Sequence, residues 1–354
     1  MLRGKKRGFG SHAEPCIIEK NKMKSAKELI KTVAGFTFEK LSVLLPRRQG
    51  LSIIFMYHRV VEKLPAGLHD PAMFVTVNTL EMHIREIARH FEIVPIDEIT
   101  TVTGEKKLCA FTFDDGWHDN YDTAFAILKK YRVPATIFIP VNLVSRPRAY
   151  WFQNLWELAS QVISHDHREQ FIEYFRNRAP FWHPTGIGPD QIYDLANELK
   201  KLPARELDTI VQKGYELLGI KLDSTDTIMK WEHMREMGRS GITFGSHGMH
   251  HNILTQLSYD EKCEEVAKSL DVLRHAEVAV TPFFSYPNGN WDAEAVSLVK
   301  QAGYKGAVTT ELGFNETFTN PYLLKRVGLH EDISHTPSLL WFRIFQALMA
   351  RQPA

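Results

Sequence analysis

Cysteine is scarce in this chain. Its three residues, Cys16, Cys109 and Cys263, are odd in number and far apart. No Cys-x-x-Cys occurs, which argues against a disulfide framework and a thiolate zinc site. The usage suits a reducing compartment. Long apolar runs are missing as well. The longest, Ile53-Ile54-Phe55-Met56-Tyr57, is too short to span a bilayer. The basic N-terminus is not followed by the apolar stretch and small-residue cleavage site of a signal peptide. These readings place the protein in the cytoplasm. Excess charge of one sign is absent too: 43 Lys and Arg face 42 Asp and Glu, a net charge of +1. No global field draws in nucleic acid or membrane. The charge is uneven, however. Residues 1–48 hold twelve Lys or Arg and four Glu, and the remaining chain is net acidic. An enzyme of nucleic acid, which needs phosphate attraction, is therefore disfavoured.

What is present is ordinary globular composition, 44% hydrophobic and 24% charged, over 354 residues. That suits a large core. Residues 1–22 are polar and lack periodicity, and Met23 is an alternative start to Met1. From Lys24 to Leu45 the pattern is a basic amphipathic helix, with Leu29, Ile30, Val33, Phe36, Leu41, Leu44 and Leu45 apolar. Such a helix packs on a domain or lies on an anionic membrane surface. Buried strands follow at 52–57, 108–113 and 135–141, with a short one at 93–96 and helices at 80–91 and about 120–131. Strand, helix, strand with short connectors predicts βαβ units and a parallel sheet. The rhythm breaks at 148–235, a Trp-rich helical stretch, and resumes with strands near 241–244, 283–286, 306–309 and 323–327. Helices are expected at about 258–274, 292–302 and 336–350. The domain reading is a basic leader and helix (1–48), a barrel (50–147 and 236–335), a helical insertion (148–235) and a C-terminal helix (336–354).

Polar residues sit at the predicted strand ends. His58 ends one, Asp114-Asp115 another, His247 a third and Pro287-Asn288-Gly289 a fourth. In α/β barrels the C-terminal strand ends build the site, so the four share one rim. Adjacent Asp114 and Asp115 point opposite ways in an extended chain, so one can bind a metal while the other stays free as a base. His247 and His251, at i and i+4, share one face of a helical turn. With Asp115 they form a two-His, one-carboxylate set, suited to zinc or another divalent ion. His247 with His250 is a second possible pair.

These residues carry a family resemblance. Phe111-Thr112-Phe113-Asp114-Asp115-Gly116 resembles the TFDDG motif of the polysaccharide deacetylases, the NodB-like carbohydrate esterase family 4. Gly245 to His251 is similar to that family's H-[ST]-x-x-H motif, and Phe284 to Gly289 to its RxPYG motif. The resemblance implies an α/β fold, a distorted (β/α) barrel with a helical insertion, and removal of N-acetyl groups from the amino sugars of a glycan or glycan precursor. It implies Asp115, His247 and His251 as ligands of a divalent metal, zinc first among them, and Asp114 as general base. It also implies the backbone N–H of Asn288 as oxyanion donor, with Tyr286, Pro287 and Trp117 against the substrate. The alternatives are a non-catalytic carbohydrate-binding relative and a sugar O-acetyl esterase.

Three departures stand out. Gly248 replaces a Ser or Thr, which removes a loop-stabilising hydrogen bond. Ser285 replaces the third-motif Arg. No fourth motif is visible, so the group orienting Asp114 must come from elsewhere; Arg326 is the candidate, with a surface salt bridge as its other reading. For the general acid, Leu329-His330 resembles the family's late L-x-H motif. Phe55-Met56-Tyr57-His58 fits it too and resembles the permuted arrangement of poly-N-acetylglucosamine deacetylases. The assignment here is His58. The Trp residues of the insertion, which is expected to cap the rim, either stack on sugar rings or pack its own core.

Overall fold

The computed structural model describes residues 28–38, 51–99, 107–145, 150–165, 167–222 and 227–350. The basic leader 1–22, the choice between Met1 and Met23, and the flanks of the first helix lie outside the described residues. Among the described residues ten strands occur in chain order: β1 (Ser52–Tyr57), β2 (Arg59–Val61), β3 (Phe74–Thr76), β4 (Glu92–Ile93), β5 (Leu108–Phe113), β6 (Ala135–Ile139), β7 (Ile242–Ser246), β8 (Val280–Ser285), β9 (Gly306–Leu312) and β10 (Leu324–Gly328). Seven of them close into a parallel barrel in the order β1-β10-β9-β8-β7-β6-β5 and back to β1. The first and last strands are neighbours: β1 pairs with β10 at Phe55↔Val327 and with β5 along its whole length. Two-residue β4 adds only to the start of β5, and β2 pairs with β3 apart from the barrel.

The continuous apolar runs that made these strands legible hide an alternation. Ile54, Ala110, Phe138, Phe283, Val308 and Leu324 form one buried cluster, as expected for side chains that fill the inside of a small barrel. The residues between them, such as Ile53, Phe55, Cys109, Phe111, Ile137 and Val327, belong to a second cluster shared with the outer helices. The same parity carries His58, Asp114, Ser285 and Arg326 to the lumen or its rim. Some boundaries differ from the sequence reading. The helix expected at 80–91 is Val77–Ile87, because Thr76 caps it by accepting from the backbone N–H of Thr79. Glu331 adds three bonds there, accepting from the Thr76 N–H and from the Thr76 and Thr79 hydroxyls. Ile96, expected in a strand, begins the short helix Ile96–Ile99.

Residues 28–38 form a helix that rests on Pro337–Met349. Phe38 lies against Trp341 and Phe345, with ring centroids 6.3 and 5.1 Å apart. Its other face leaves Leu29, Ile30, Val33 and Phe36 exposed. Between β6 and β7 the chain runs through helices Trp151–His165, Arg168–Arg176, Pro189–Leu199 and Ala204–Leu218. These bury a core of their own that includes Trp156, Trp182, Phe171 and Tyr215. Among the described residues no helix is long and apolar enough to cross a membrane.

Gly245 marks a tight point of the barrel. A Cβ there would lie 2.6 Å from the Phe138 ring and 2.8 Å from the Phe283 carbonyl oxygen. Gly245→Ala should therefore destabilise the protein by about 2–3 kcal/mol through overpacking, read as a lower denaturant midpoint with unchanged slope. An unchanged midpoint would show that the lumen has room the packing denies.

Candidate active site

The rim residues converge. Asp115 Oδ1 lies 3.5 Å from His247 Nε2 and 3.3 Å from His251 Nε2. One ligand atom from each of the three residues falls within 4.8 Å of the others. Two of the three, His247 and Asp115, are aimed by neighbours. His247 Nδ1 bonds the Ser285 carbonyl oxygen at 2.7 Å. That fixes the proton on Nδ1 and turns the Nε2 lone pair toward Asp115. Asp115 Oδ2 accepts from Trp117 Nε1 at 3.1 Å, and the Asp115 backbone carbonyl accepts from the Tyr150 hydroxyl at 2.6 Å. Two imidazole nitrogens and one carboxylate oxygen with oriented lone pairs are a donor set that fits a divalent cation.

The i, i+4 histidines do not share a helix. Residues 247–252 form an irregular loop, and His251 has φ of 63°. Asp115 and Asn288 are also left-handed, with φ of 73° and 59°. Asp, Asn and His tolerate this region best among residues with a Cβ, and its strain concentrates at functional sites. The alternative ligand His250 points elsewhere, its Nδ1 2.7 Å from Glu265 and its Nε2 2.6 Å from Asn142.

Glu265 is the residue the sequence did not reveal. Its buried carboxylate accepts from the backbone N–H groups of Met249 (2.7 Å) and His250 (3.0 Å) and from Asn252 Nδ2 (3.0 Å). It therefore holds the loop that carries His251. Gly248 makes this possible, since a Cβ there would lie 2.8 Å from Glu265 Oε2. The loop support thought missing at position 248 comes from a helix instead, through Glu265, with a further bond from the Gly248 N–H to Ser246 Oγ. Only a glutamate 17 residues beyond the glycine signalled it.

Asp114 is held by Arg326. The guanidinium grips it with both nitrogens, Nη1 to Oδ1 at 2.8 Å and Nη2 to Oδ2 at 2.6 Å. Arg326 also donates to the Thr309 carbonyl (2.8 Å) and Ser285 Oγ (3.1 Å). At 1% exposure it is no surface salt bridge. Burial pushes the Asp114 carboxyl up, but the guanidinium outweighs this and holds it below its ordinary value. For Asp115 burial is likewise overridden, by the facing imidazoles of His247 and His251, and the group sits well below the usual range.

His58, Asp114, Asp115, His247, His251 and Asn288 all line one cavity. His330 does not; it precedes the short helix Glu331–Ser334, and its Nδ1 contacts Asp332 there. Trp117, Tyr286 and Pro287 also lie off the cavity wall and are buried. Trp117 supports Asp115 from behind, and the Tyr286 hydroxyl donates to the Tyr322 carbonyl at 3.2 Å. Stacking on substrate would need faces these rings spend on packing. The insertion contributes Trp151 and Trp156 to the wall, whereas Trp182 stays in its own core and Trp231 packs against the barrel.

Arg326→Met should cost about 3–5 kcal/mol at neutral pH, because it strands a buried charge on Asp114. In the wild type the lowered Asp114 pKa contributes stability above the unfolded value, near 3.9, that is lost as pH falls through the folded value. In the variant, burial without the arginine raises that pKa. The stability difference in chelator-treated protein should thus narrow as pH falls toward about 4. A difference independent of pH would mean that the pair is not what fails.

The family model for polysaccharide deacetylases matches residues 101–170 and 208–307. YxkH of Bacillus subtilis, itself assigned to the polysaccharide deacetylases, is 23% identical over 309 residues, covering 84% of this chain and 82% of that protein. Among solved structures, the Streptococcus pyogenes deacetylase PplD, in complex with acetate, matches with a TM-score of 0.54 at 19% identity, over 86% of this chain and 99% of its own. IcaB from Ammonifex degensii matches with 0.52 at 16%, over 83% and 97%. At these identities the structural likeness speaks for the barrel, and the sequence matches speak for descent. The chain belongs to the NodB-like polysaccharide deacetylase family, hydrolases that remove acetyl groups from glycans.

Proposed function

We propose that this chain is a metal-dependent de-N-acetylase of an amino sugar in a glycan or glycan precursor. The observation that carries the reading is the gathering of the Asp115, His247 and His251 ligand atoms, the Arg326-held Asp114 and His58 around one cavity. A divalent cation, zinc first among candidates, would be held by Asp115, His247 and His251 and would supply Lewis acidity toward the acetyl carbonyl and toward water. The protein's own groups do the rest. Asp114 stays ionised at neutral pH and accepts the proton of the attacking water. A carboxylate has about four lone-pair sites, so two bonds to Arg326 leave it able to do so. The backbone N–H of Asn288 donates to the developing oxyanion. As the C–N bond breaks, His58 delivers a proton to the departing nitrogen, and acetate and a free amine leave. The permuted reading is supported by β1 lying between β10 and β5, which brings His58 to the rim an end-of-chain motif would occupy.

Asp115→Ala, His247→Ala and His251→Ala should each lose metal and activity. Asp114→Asn should keep the metal and lose roughly 10²-fold or more in kcat. Unchanged metal stoichiometry in all three ligand variants would sink the assignment. His58→Ala should keep the metal and lose most of kcat on an N-acetyl sugar, and far less on an ester with a good leaving group, which departs without protonation. If His330→Ala behaves this way and His58→Ala does not, the acid is His330. Strong turnover of sugar O-acetyl esters with none of amides would favour the esterase alternative.

The proposal includes a cytoplasmic place of action, resting on the sparse cysteines, and peripheral contact with an anionic membrane surface through the 24–45 segment. The exposed stripe Leu29, Ile30, Val33 and Phe36 beside lysines supports that contact. Ile30→Glu with Val33→Glu should abolish cosedimentation with anionic vesicles and leave catalysis unchanged. Equal cosedimentation of variant and wild type removes the membrane role.

A further inference from the structure

Of the three proposed metal ligands, His251 is the one that no hydrogen bond aims. Its Nε2 faces Asp115, and among the described residues its Nδ1 has no hydrogen-bond partner. A metal-binding imidazole ordinarily donates its other ring N–H to an oxygen, which fixes its angle. Here other rings hold it. His247, Tyr150 and Phe152 surround it, with centroids 4.8, 5.3 and 5.8 Å away and interplanar angles of 70°, 64° and 47°. Tyr150 and Phe152 stack on each other at 4.9 Å and 18°, so they act as a wedge of two rings. Glu265 holds the backbone of the neighbouring loop, which leaves the angle of the imidazole to the wedge.

The wedge is rooted in the segment that carries Asp115. Tyr150 stands where the chain leaves the barrel for the insertion, and its ring packs on Trp117, with centroids 4.9 Å apart. Its hydroxyl donates to the Asp115 carbonyl at 2.6 Å. Where the chain returns, the Thr227 carbonyl accepts from the His118 N–H at 2.8 Å, and the Met229 N–H donates to the Gly116 carbonyl at 2.9 Å. Both roots of the insertion are therefore stitched to residues 115–118. Trp117 is pinned in turn. The Arg59 guanidinium lies over its indole at 4.4 Å and pairs with Asp119 at 2.7 Å. Trp117 Nε1 donates to Asp115 Oδ2, while Oδ1 faces the histidines. Trp117 and Tyr150 are buried, and Phe152 is half-buried on the cavity wall. One aromatic column thus touches two of the three ligands.

We infer that Tyr150 and Phe152, at the root of the insertion, are positioning residues of the metal centre. Their stacked rings set the angle of His251, while the Tyr150 hydroxyl and Trp117 hold Asp115. The helical body beyond them can change without touching the ligands; the root cannot. This rests on Asp115, His247 and His251 binding a metal, and not on the reaction that follows.

The test uses the full chain, stripped with a chelator and titrated with Co²⁺, whose visible absorption reports the geometry of its ligands. Phe152→Leu keeps apolar bulk and loses the ring stack. It should raise the Kd for Co²⁺ about 10- to 100-fold, as for loss of an outer partner of a ligand, and shift the absorption band. Phe152→Tyr keeps the ring and should stay within about threefold of wild type. Tyr150→Phe keeps the stack but loses the bond to Asp115, and should weaken Co²⁺ about tenfold. Melting of the metal-free proteins is read alongside. A Phe152→Leu protein that melts earlier yet keeps the wild-type Kd and band is merely less stable, and overturns the inference. So does a raised KM with Co²⁺ binding unchanged, which would make Phe152 a substrate contact only. If the variants behave as expected but the wild type releases no acetate from N-acetylated sugars, the deacetylase reading falls and this inference stands. If the wild type binds no Co²⁺, the metal centre and the inference fall together.

Discussion

The bidentate pair between Arg326 and Asp114 is the contact around which the barrel interior is arranged. The guanidinium reaches from β10 to the end of β5, to Ser285 on β8 and to the Thr309 carbonyl on β9. It lies over the Phe138 ring of β6 at 5.8 Å. A charge so deep is tolerable only because its donors are matched by a carboxylate, a hydroxyl and a carbonyl. Position 285, where the family resemblance led one to look for an arginine, holds a serine that bonds the displaced guanidinium. The charge arrives at the carboxylate from two strands away.

Much of the barrel was legible because its strands are apolar on both faces and end in titratable residues. Ser52–Tyr57 and Leu108–Phe113 could be read to the residue. Asp115, His247 and His251 were recognisable as a set because Asp and His at strand ends serve little purpose in packing. What stayed hidden depended on backbone geometry that periodicity does not encode. The i, i+4 spacing of His247 and His251 suggested a helical turn, whereas the loop reverses through a left-handed His251. Glu265 was invisible because its partners are backbone N–H groups, which any sequence supplies. Trp117 and Tyr286 looked like sugar platforms from their neighbours, but the space behind the motifs claims both rings.

The division between barrel and insertion is also a division of labour. The barrel supplies groups held by hydrogen bonds on several strands, with parity deciding which side chains reach the lumen. The insertion supplies polar and apolar side chains to the cavity wall. It does so while burying a separate core of aromatic residues. Loops joined to a rigid scaffold can vary in this way without disturbing the chemistry beneath.

The adjacency of β1 and β10 has a consequence for how the chain is made. During synthesis β1 can pair with β5 early, but its other edge stays open until the last barrel strand has left the ribosome. Over that interval the nascent sheet presents an unpaired, apolar edge, the kind of template that recruits other strands. Arg326 rides on that late strand, so Asp114 has no counter-charge until the ring is shut. Closure of the barrel and completion of its ion pair are therefore a single late event, gated by a contact between segments about 270 residues apart.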